Sequence, residues 1–90
     1  MNIEELKIRD KVINILCQKT EIQPEKLAYE NDTKALTGPL FRLNARDMTY
    51  FFMEVKKEFS LKLNIEQIKA YEFNTIAGII ELIKKYRENQ

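Results

Sequence analysis

The sequence contains no histidine and no tryptophan, and it has a single cysteine, Cys17, and a single serine, Ser60. Without histidine the chain cannot form a Ser-His-Asp triad, a Cys-His pair or a His/Cys zinc site, and one cysteine cannot close an intramolecular disulfide. It also shows no paired carboxylates of the kind that acid–base catalysis uses and no glycine-rich phosphate loop. We therefore predict that the chain is not an enzyme and binds no metal ion.

An excess of one charge is also lacking. Fifteen Lys and Arg balance fourteen Asp and Glu to a formal charge of +1, and successive thirds of the chain carry −1, +1 and +1. This balance removes the attraction for polyanions on which nucleic-acid binding depends, so we predict no nucleic-acid partner. The longest uncharged apolar stretches, such as 75 to 80, are far shorter than the roughly twenty residues that cross a bilayer, so we predict no membrane partner.

The lone cysteine, with no apolar run after Met1, favours a reducing compartment and predicts a cytoplasmic protein. Cys17 neighbours the apolar stripe of the first helical segment, which predicts an inert thiol that packs against the core.

The 90 residues, of which 44% are hydrophobic and 32% charged, suffice for one domain spanning 1 to 90. Apolar residues at three- and four-residue spacings predict long helices over 3 to 19, over 45 to 58 and from 76 onward. A shorter helix is predicted over 65 to 71, with Ile65, Ile68 and Tyr71 facing inward. The predicted fold is an all-α bundle of three long helices and one short one.

Local signals place the helix ends. Asn2 with Glu5 and Asn44 with Asp47 resemble capping boxes, Pro24 follows the end of the first helix, and Asn74 or Thr75 caps the last one. Gly78 inside that last helix predicts close approach of a neighbouring helix.

The long loop over 29 to 44 contains the turn signals Asn31-Asp32 and Gly38-Pro39. It is too apolar for a free linker, so we expect it to be pinned across the helices by Leu36, Leu40, Phe41 and Leu43.

The second helix has two distinct faces. Its inward face carries Met48, Phe51, Phe52, Val55 and Phe59, and its outward face carries Asp47, Tyr50, Met53, Glu54 and Lys57. Nothing in the core pattern requires Tyr50 or Met53, so they either form a docking patch for a partner or pack under the long loop. The predicted core comprises Val12, Leu16, Met48, Phe52, Val55, Phe59, Ile76 and Ile80.

This order of segments resembles acyl and peptidyl carrier proteins. Val12, Ile15 and Leu16, followed by Ile22 and Leu27, are similar to the first helix of that family and the apolar pair after it. The stretch from Met53 to Phe59 is similar to the end of the family's central helix, and the stretch from Phe73 to Ile83 is similar to its closing segment. The alternative interpretation of the sequence is an unrelated four-helix bundle.

One departure from the family pattern bears on function. In the family, an Asp-Ser-Leu signature opens the central helix and its serine carries 4'-phosphopantetheine. Counting back without gaps from Phe59 matches this signature to Asn44, Ala45 and Arg46, so a methyl group stands where the attaching hydroxyl is needed. Ser60 follows the central helix on the wrong side of the bundle, and Thr49 lies a full turn inside it. The resemblance therefore implies a carrier-like domain without its prosthetic arm and without another cofactor.

The implied function is docking on a biosynthetic or peptide-modifying enzyme. The residues expected to bind that partner are Asn44, Arg46, Asp47, Thr49, Tyr50, Met53, Glu54 and Lys57. Carrier-related proteins of bacterial peptide-maturation systems are also similar around the Leu36-Thr37-Gly38 loop and around 49 to 52. The alternative function is a working acyl or peptidyl carrier that bears 4'-phosphopantetheine at a position that the gapless count misplaces.

Overall fold

The computed structural model of the chain describes residues 2 to 63, 66, 68 and 70 to 87. It has three α-helices in these ranges, α1 at Ile3–Lys19, α2 at Ala45–Phe59 and α3 at Ile76–Tyr86. Short 3₁₀ turns lie at Pro24–Leu27, Tyr29–Asn31 and Ala70–Phe73. Strand-type pairing within the described part is limited to an isolated bridge between Leu61 and Arg87. The predicted all-α class is confirmed.

The helices begin where the capping signals predict. At the start of α2 the Asn44 side chain accepts the backbone N–H of Asp47 at 2.8 Å, and α1 begins with the matching pair of Asn2 and Glu5. The Thr75 hydroxyl accepts the Gly78 N–H at 2.9 Å and so caps α3. α2 ends one residue later than predicted, because Ser60 adopts a left-handed conformation that stops the helix.

Apolar side chains from the three helices and the loop share one core. Phe73 joins α2 to the rest of it, with its ring centroid 5.3 Å from that of Phe51 and 5.1 Å from that of Phe52. Met48 is half-buried at the edge of the core. The other predicted core residues are buried, namely Val12, Leu16, Phe52, Val55, Phe59, Ile76 and Ile80.

The long loop is pinned, as predicted. Its apolar residues Leu36, Phe41 and Leu43 are buried in the core. The Leu36 N–H donates to the Asn74 carbonyl at 2.7 Å, while the Asn74 side chain exchanges two hydrogen bonds with Thr37 at 3.0 and 3.1 Å. Asn74 therefore ties the loop to the start of α3, and Thr75 alone serves as the N-cap.

A buried ion pair joins α1 to the same loop. The Arg9 guanidinium donates to both carboxylate oxygens of Asp32, at 2.8 and 2.9 Å, and to the Leu27 carbonyl at 2.7 Å, while it lies over the Tyr29 ring at 4.2 Å. Hydrogen bonding to Asp32 raises the pKa of Arg9 above its ordinary value, so the guanidinium stays charged. The Asp32 carbonyl accepts the Ala77 N–H at 3.0 Å, which extends this contact to α3.

A surface pair joins the first turn of α1 to the last turns of α3. Lys84 Nζ donates to Glu5 Oε2 at 2.7 Å. This hydrogen bond lowers the pKa of Glu5 and raises the pKa of Lys84. The beginning of α1 therefore lies beside the end of α3.

Two local predictions need correction. Cys17 is exposed and does not pack against the core, because it lies about 100° around the helix from the buried Leu16. A Cβ atom at Gly78 would lie 2.7 Å from the Glu72 carbonyl oxygen and 2.9 Å from the Thr75 hydroxyl. The space at Gly78 is needed by the turn that precedes α3, and not by a neighbouring helix.

Three of the seven residues of the predicted short helix over 65 to 71, namely Ile65, Gln67 and Lys69, lie outside the described part, as does the side chain of Tyr71. Ile68 is half-buried against the core, in agreement with its predicted inward position. The fourth helix itself stays a prediction.

Replacing Phe52 with Ala tests the packing of α2 on the core. Phe52 is buried against Phe73, so the change should lower the free energy of unfolding by about 3 to 5 kcal/mol, measured by urea denaturation. Tyr50→Ala on the exposed face of the same helix is the matched control and should change it by no more than about 0.5 kcal/mol. A loss below about 1 kcal/mol for Phe52→Ala would contradict its place in the core.

Replacing Arg9 with Met tests the buried ion pair. The change leaves the Asp32 carboxylate buried without its partner, so it should cost about 3 to 5 kcal/mol of unfolding free energy. Adding Asp32→Leu should recover part of that loss, because no charge then remains buried. Lys11→Met removes an exposed pair with Glu58 and should cost no more than about 1 kcal/mol. Equal losses for Arg9→Met and Lys11→Met would refute a special role for the buried pair.

Candidate functional site

The candidate site is built on α2, and Ala45 is its first residue. Ala45 is exposed, and Asn44 and Asp47 on either side of it are engaged with each other in the capping box. The side chain at this position is a methyl group, which offers no oxygen or nitrogen for covalent attachment. The start of α2 is thus well formed as a helix terminus but carries no nucleophile at Ala45.

Four side chains line up along the solvent side of α2, and we call them the outward stripe: Arg46, Tyr50, Met53 and Lys57. Their spacing places them within an arc of about 60° and along about 17 Å of helix. Tyr50 is 52% exposed and Met53 is 59% exposed. The Arg46 guanidinium lies 5.8 Å from the centre of the Tyr50 ring. The outward stripe therefore presents two large apolar groups between two cations.

The acidic residues of α2 lie on a different side of the helix. Asp47 is used by the N-terminal cap, while Glu54 lies 3.5 Å from Lys19 and Glu58 lies 3.6 Å from Lys11. Both lysines belong to α1. The earlier lysine, Lys11, pairs with the later glutamate, Glu58, so α1 and α2 run antiparallel. The two charges cancel within each of these pairs. Glu54 and Glu58 therefore do not neutralise Arg46 and Lys57, and the outward stripe stays positively charged.

An open groove of about 750 Å³ borders the outward stripe near the end of α2. Buried Phe52 and Leu61 contribute to its apolar wall, and Met53 and Lys57 connect it to the stripe. Glu66 is an acidic residue on its lining. The groove offers an apolar recess beside a basic helix face, which suits apolar side chains flanked by acidic ones.

The structure sorts the predicted partner-binding residues into two groups. Arg46, Tyr50, Met53 and Lys57 share one surface, and the exposure of Tyr50 and Met53 shows that they do not pack under the loop. The others are engaged within the chain: the side chains of Asn44 and Asp47 form the cap, Thr49 donates its hydroxyl to the Ala45 carbonyl at 3.0 Å, and Glu54 pairs with Lys19.

The ion pairs that join α1 to the loop and to α2 could not be predicted from the sequence. Arg9 is charged but buried, and it stands three residues before Val12 and seven before Leu16, both of which are also buried. That helical spacing was the available signal. No pattern in the sequence links Arg9 to Asp32 or Lys19 to Glu54, because these pairs form only when distant segments meet.

Comparison of the chain with protein-family models, with curated proteins and with solved structures gave no match. Within the described part of the chain, no three His, Cys, Asp or Glu side chains are grouped so that they would hold a metal ion. The helices of that part are also too short or too polar to cross a membrane.

Proposed function

We propose that this chain is a carrier-like interaction domain that docks on a biosynthetic or peptide-modifying enzyme through the outward stripe of α2. The observation that carries the proposal is the exposure of Tyr50 and Met53 side by side on that helix. Large exposed apolar side chains at one spot are typical of binding surfaces. The domain has no catalytic step of its own in this proposal, and its role is recognition.

The order of elements supports a relationship to acyl and peptidyl carriers. A capped first helix is followed by a long pinned loop, by the capped α2, by a short turn at Ala70–Phe73 and by α3. The resemblance implies the same order in a four-helix carrier bundle. The near-neutral charge supports a protein partner over nucleic acid, and the single cysteine fits a reducing compartment such as the bacterial cytoplasm.

The absence of a prosthetic arm follows from Ala45 in this proposal. A phosphodiester needs an oxygen on the protein, and Ala45 has none. Among nearby hydroxyls, Thr49 is hydrogen-bonded to the Ala45 carbonyl and Ser60 is the C-cap at the other end of α2. The alternative function, a working carrier, requires one of these or another residue to be modified.

Mass spectrometry separates the two functions. After incubation with coenzyme A and a broad-specificity phosphopantetheinyl transferase, the intact mass of the wild-type chain should stay unchanged, because Ala45 cannot be esterified. A gain of about 340 Da would establish a working carrier and overturn the proposal.

Two variants serve as positive controls for this assay. Ala45→Ser should be labelled slowly, since the N–H groups at the start of a helix favour a phosphate whatever the side chains are. Adding Asn44→Asp and Arg46→Leu should raise the labelling rate, because these changes restore the family signature and aspartate is also a good N-cap. Failure to label either variant would show that the start of α2 is not the carrier position.

Binding measurements test the docking surface. The probes are whichever biosynthetic or peptide-modifying enzymes the genes beside this one encode, each expressed and purified. The double change Tyr50→Ser and Met53→Ser should weaken the affinity for the cognate enzyme about thirtyfold, the effect of losing about 2 kcal/mol at an interface centre. Ile3→Ser is the matched control, because Ile3 is 72% exposed but lies on α1, and it should leave the affinity unchanged. Equal effects of the two changes would contradict docking through α2, and no binding to any of these enzymes would contradict the proposed partner class.

A further inference from the structure

The positive charge of the outward stripe indicates which kind of partner surface binds to it. The acids of α2 are held on one flank, where Glu54 and Glu58 pair with lysines of α1 and Asp47 completes the cap. No described residue forms an ion pair with Lys57 at the other end of the stripe. The stripe therefore attracts negative charge, although the chain as a whole is nearly neutral.

The apolar part of the stripe limits the kind of partner. Tyr50 and Met53 lie between the two cations, and the groove with Phe52 and Leu61 in its wall opens beside them. A simple polyanion would satisfy the cations but leave these apolar groups in water. A second copy of the chain would bring another basic stripe against this one, so like charges would oppose the contact. An amphipathic segment with both acidic and apolar residues satisfies every part of the surface.

We infer that the outward stripe binds an acidic amphipathic helix of the partner protein, with its apolar side chains over Tyr50, Met53 and the groove. This inference rests on the proposed function and specifies the partner's chemistry. Arg46 and Lys57 are eleven residues apart in α2, or about 17 Å. A partner helix matches this distance when two carboxylates are three turns apart and apolar residues lie between them on the same face. Glu66 on the groove lining disfavours a further carboxylate at that end.

A pair of synthetic peptides tests the inference without the natural partner. The first is an amphipathic helix of about 16 residues with glutamates eleven positions apart and leucines between them, and the second has lysines in place of the glutamates. Titrated into the ¹⁵N-labelled chain, the acidic peptide should shift the amide signals of residues 46 to 57 and bind at least about tenfold more tightly than the basic one at low salt.

Reversing the charge of the stripe should reverse this preference. Arg46→Glu with Lys57→Glu should weaken the acidic peptide about tenfold and strengthen the basic peptide, and binding of the basic peptide also shows that the variant is folded. Lys7→Glu with Lys34→Glu is the matched control, because it makes the same change of net charge at exposed positions outside α2. It should alter either affinity less than about twofold, since these sites lie outside the contact.

Several results would overturn the inference. The basic peptide binding the wild-type chain as well as the acidic one, or the acidic peptide shifting signals away from 46 to 57, would show that charge at the stripe does not select the ligand. Vesicles of phosphatidylglycerol and phosphatidylcholine that bind the stripe more tightly than the acidic peptide would point to a membrane surface instead.

The enzyme-binding measurements distinguish failure of this inference from failure of the proposed function. An enzyme that loses affinity with Tyr50→Ser and Met53→Ser, but not with Arg46→Glu and Lys57→Glu, would overturn the acidic-helix inference and leave α2 as the docking face. The converse result is specific binding of the acidic peptide without binding of any enzyme encoded by the neighbouring genes. It would support the acidic-helix inference and overturn the proposal that the partner is such an enzyme.

Discussion

The buried pair of Arg9 and Asp32 is the contact on which the arrangement of the other segments depends. A guanidinium and a carboxylate are tolerated inside a small domain only when their hydrogen-bonding groups find partners, and here the Leu27 carbonyl and the Tyr29 ring complete the surroundings of Arg9. The backbone of Asp32 in turn holds the first turn of α3 through Ala77. One pair thus joins α1, the long loop and α3.

The position of α2 follows from that loop and from the core. The loop, held by Asn74 and by its buried leucines, brings the chain to Asn44, where α2 begins. Phenylalanine side chains then bury one face of α2, and the lysines of α1 take up two of its acidic residues. The surface left over combines positive charge with apolar groups, and at its start stands Ala45 in place of a reactive hydroxyl. Both features favour recognition over group transfer in the proposed function.

Much of the fold was predictable because its signals are local. Apolar spacing depends only on the geometry of the helix, and a capping side chain reaches a backbone group three residues away. For this reason the starts of all three described helices and nearly all of the predicted core agree with the sequence analysis. The outward position of Tyr50 and Met53 also followed from spacing, although spacing alone did not distinguish open solvent from the underside of the loop.

The sequence by itself thus determined the helical class, the helix starts, the apolar faces and the absence of a hydroxyl at Ala45. Only the tertiary structure decided which charged residues remain on the outward stripe, because Lys19 and Glu54 lie 35 residues apart and meet only when α1 packs against α2. It likewise decided that Arg9 is buried and that Cys17 is exposed. Side chains one position apart on a helix point about 100° apart, and the neighbouring segments determine which of those directions meets protein and which meets water.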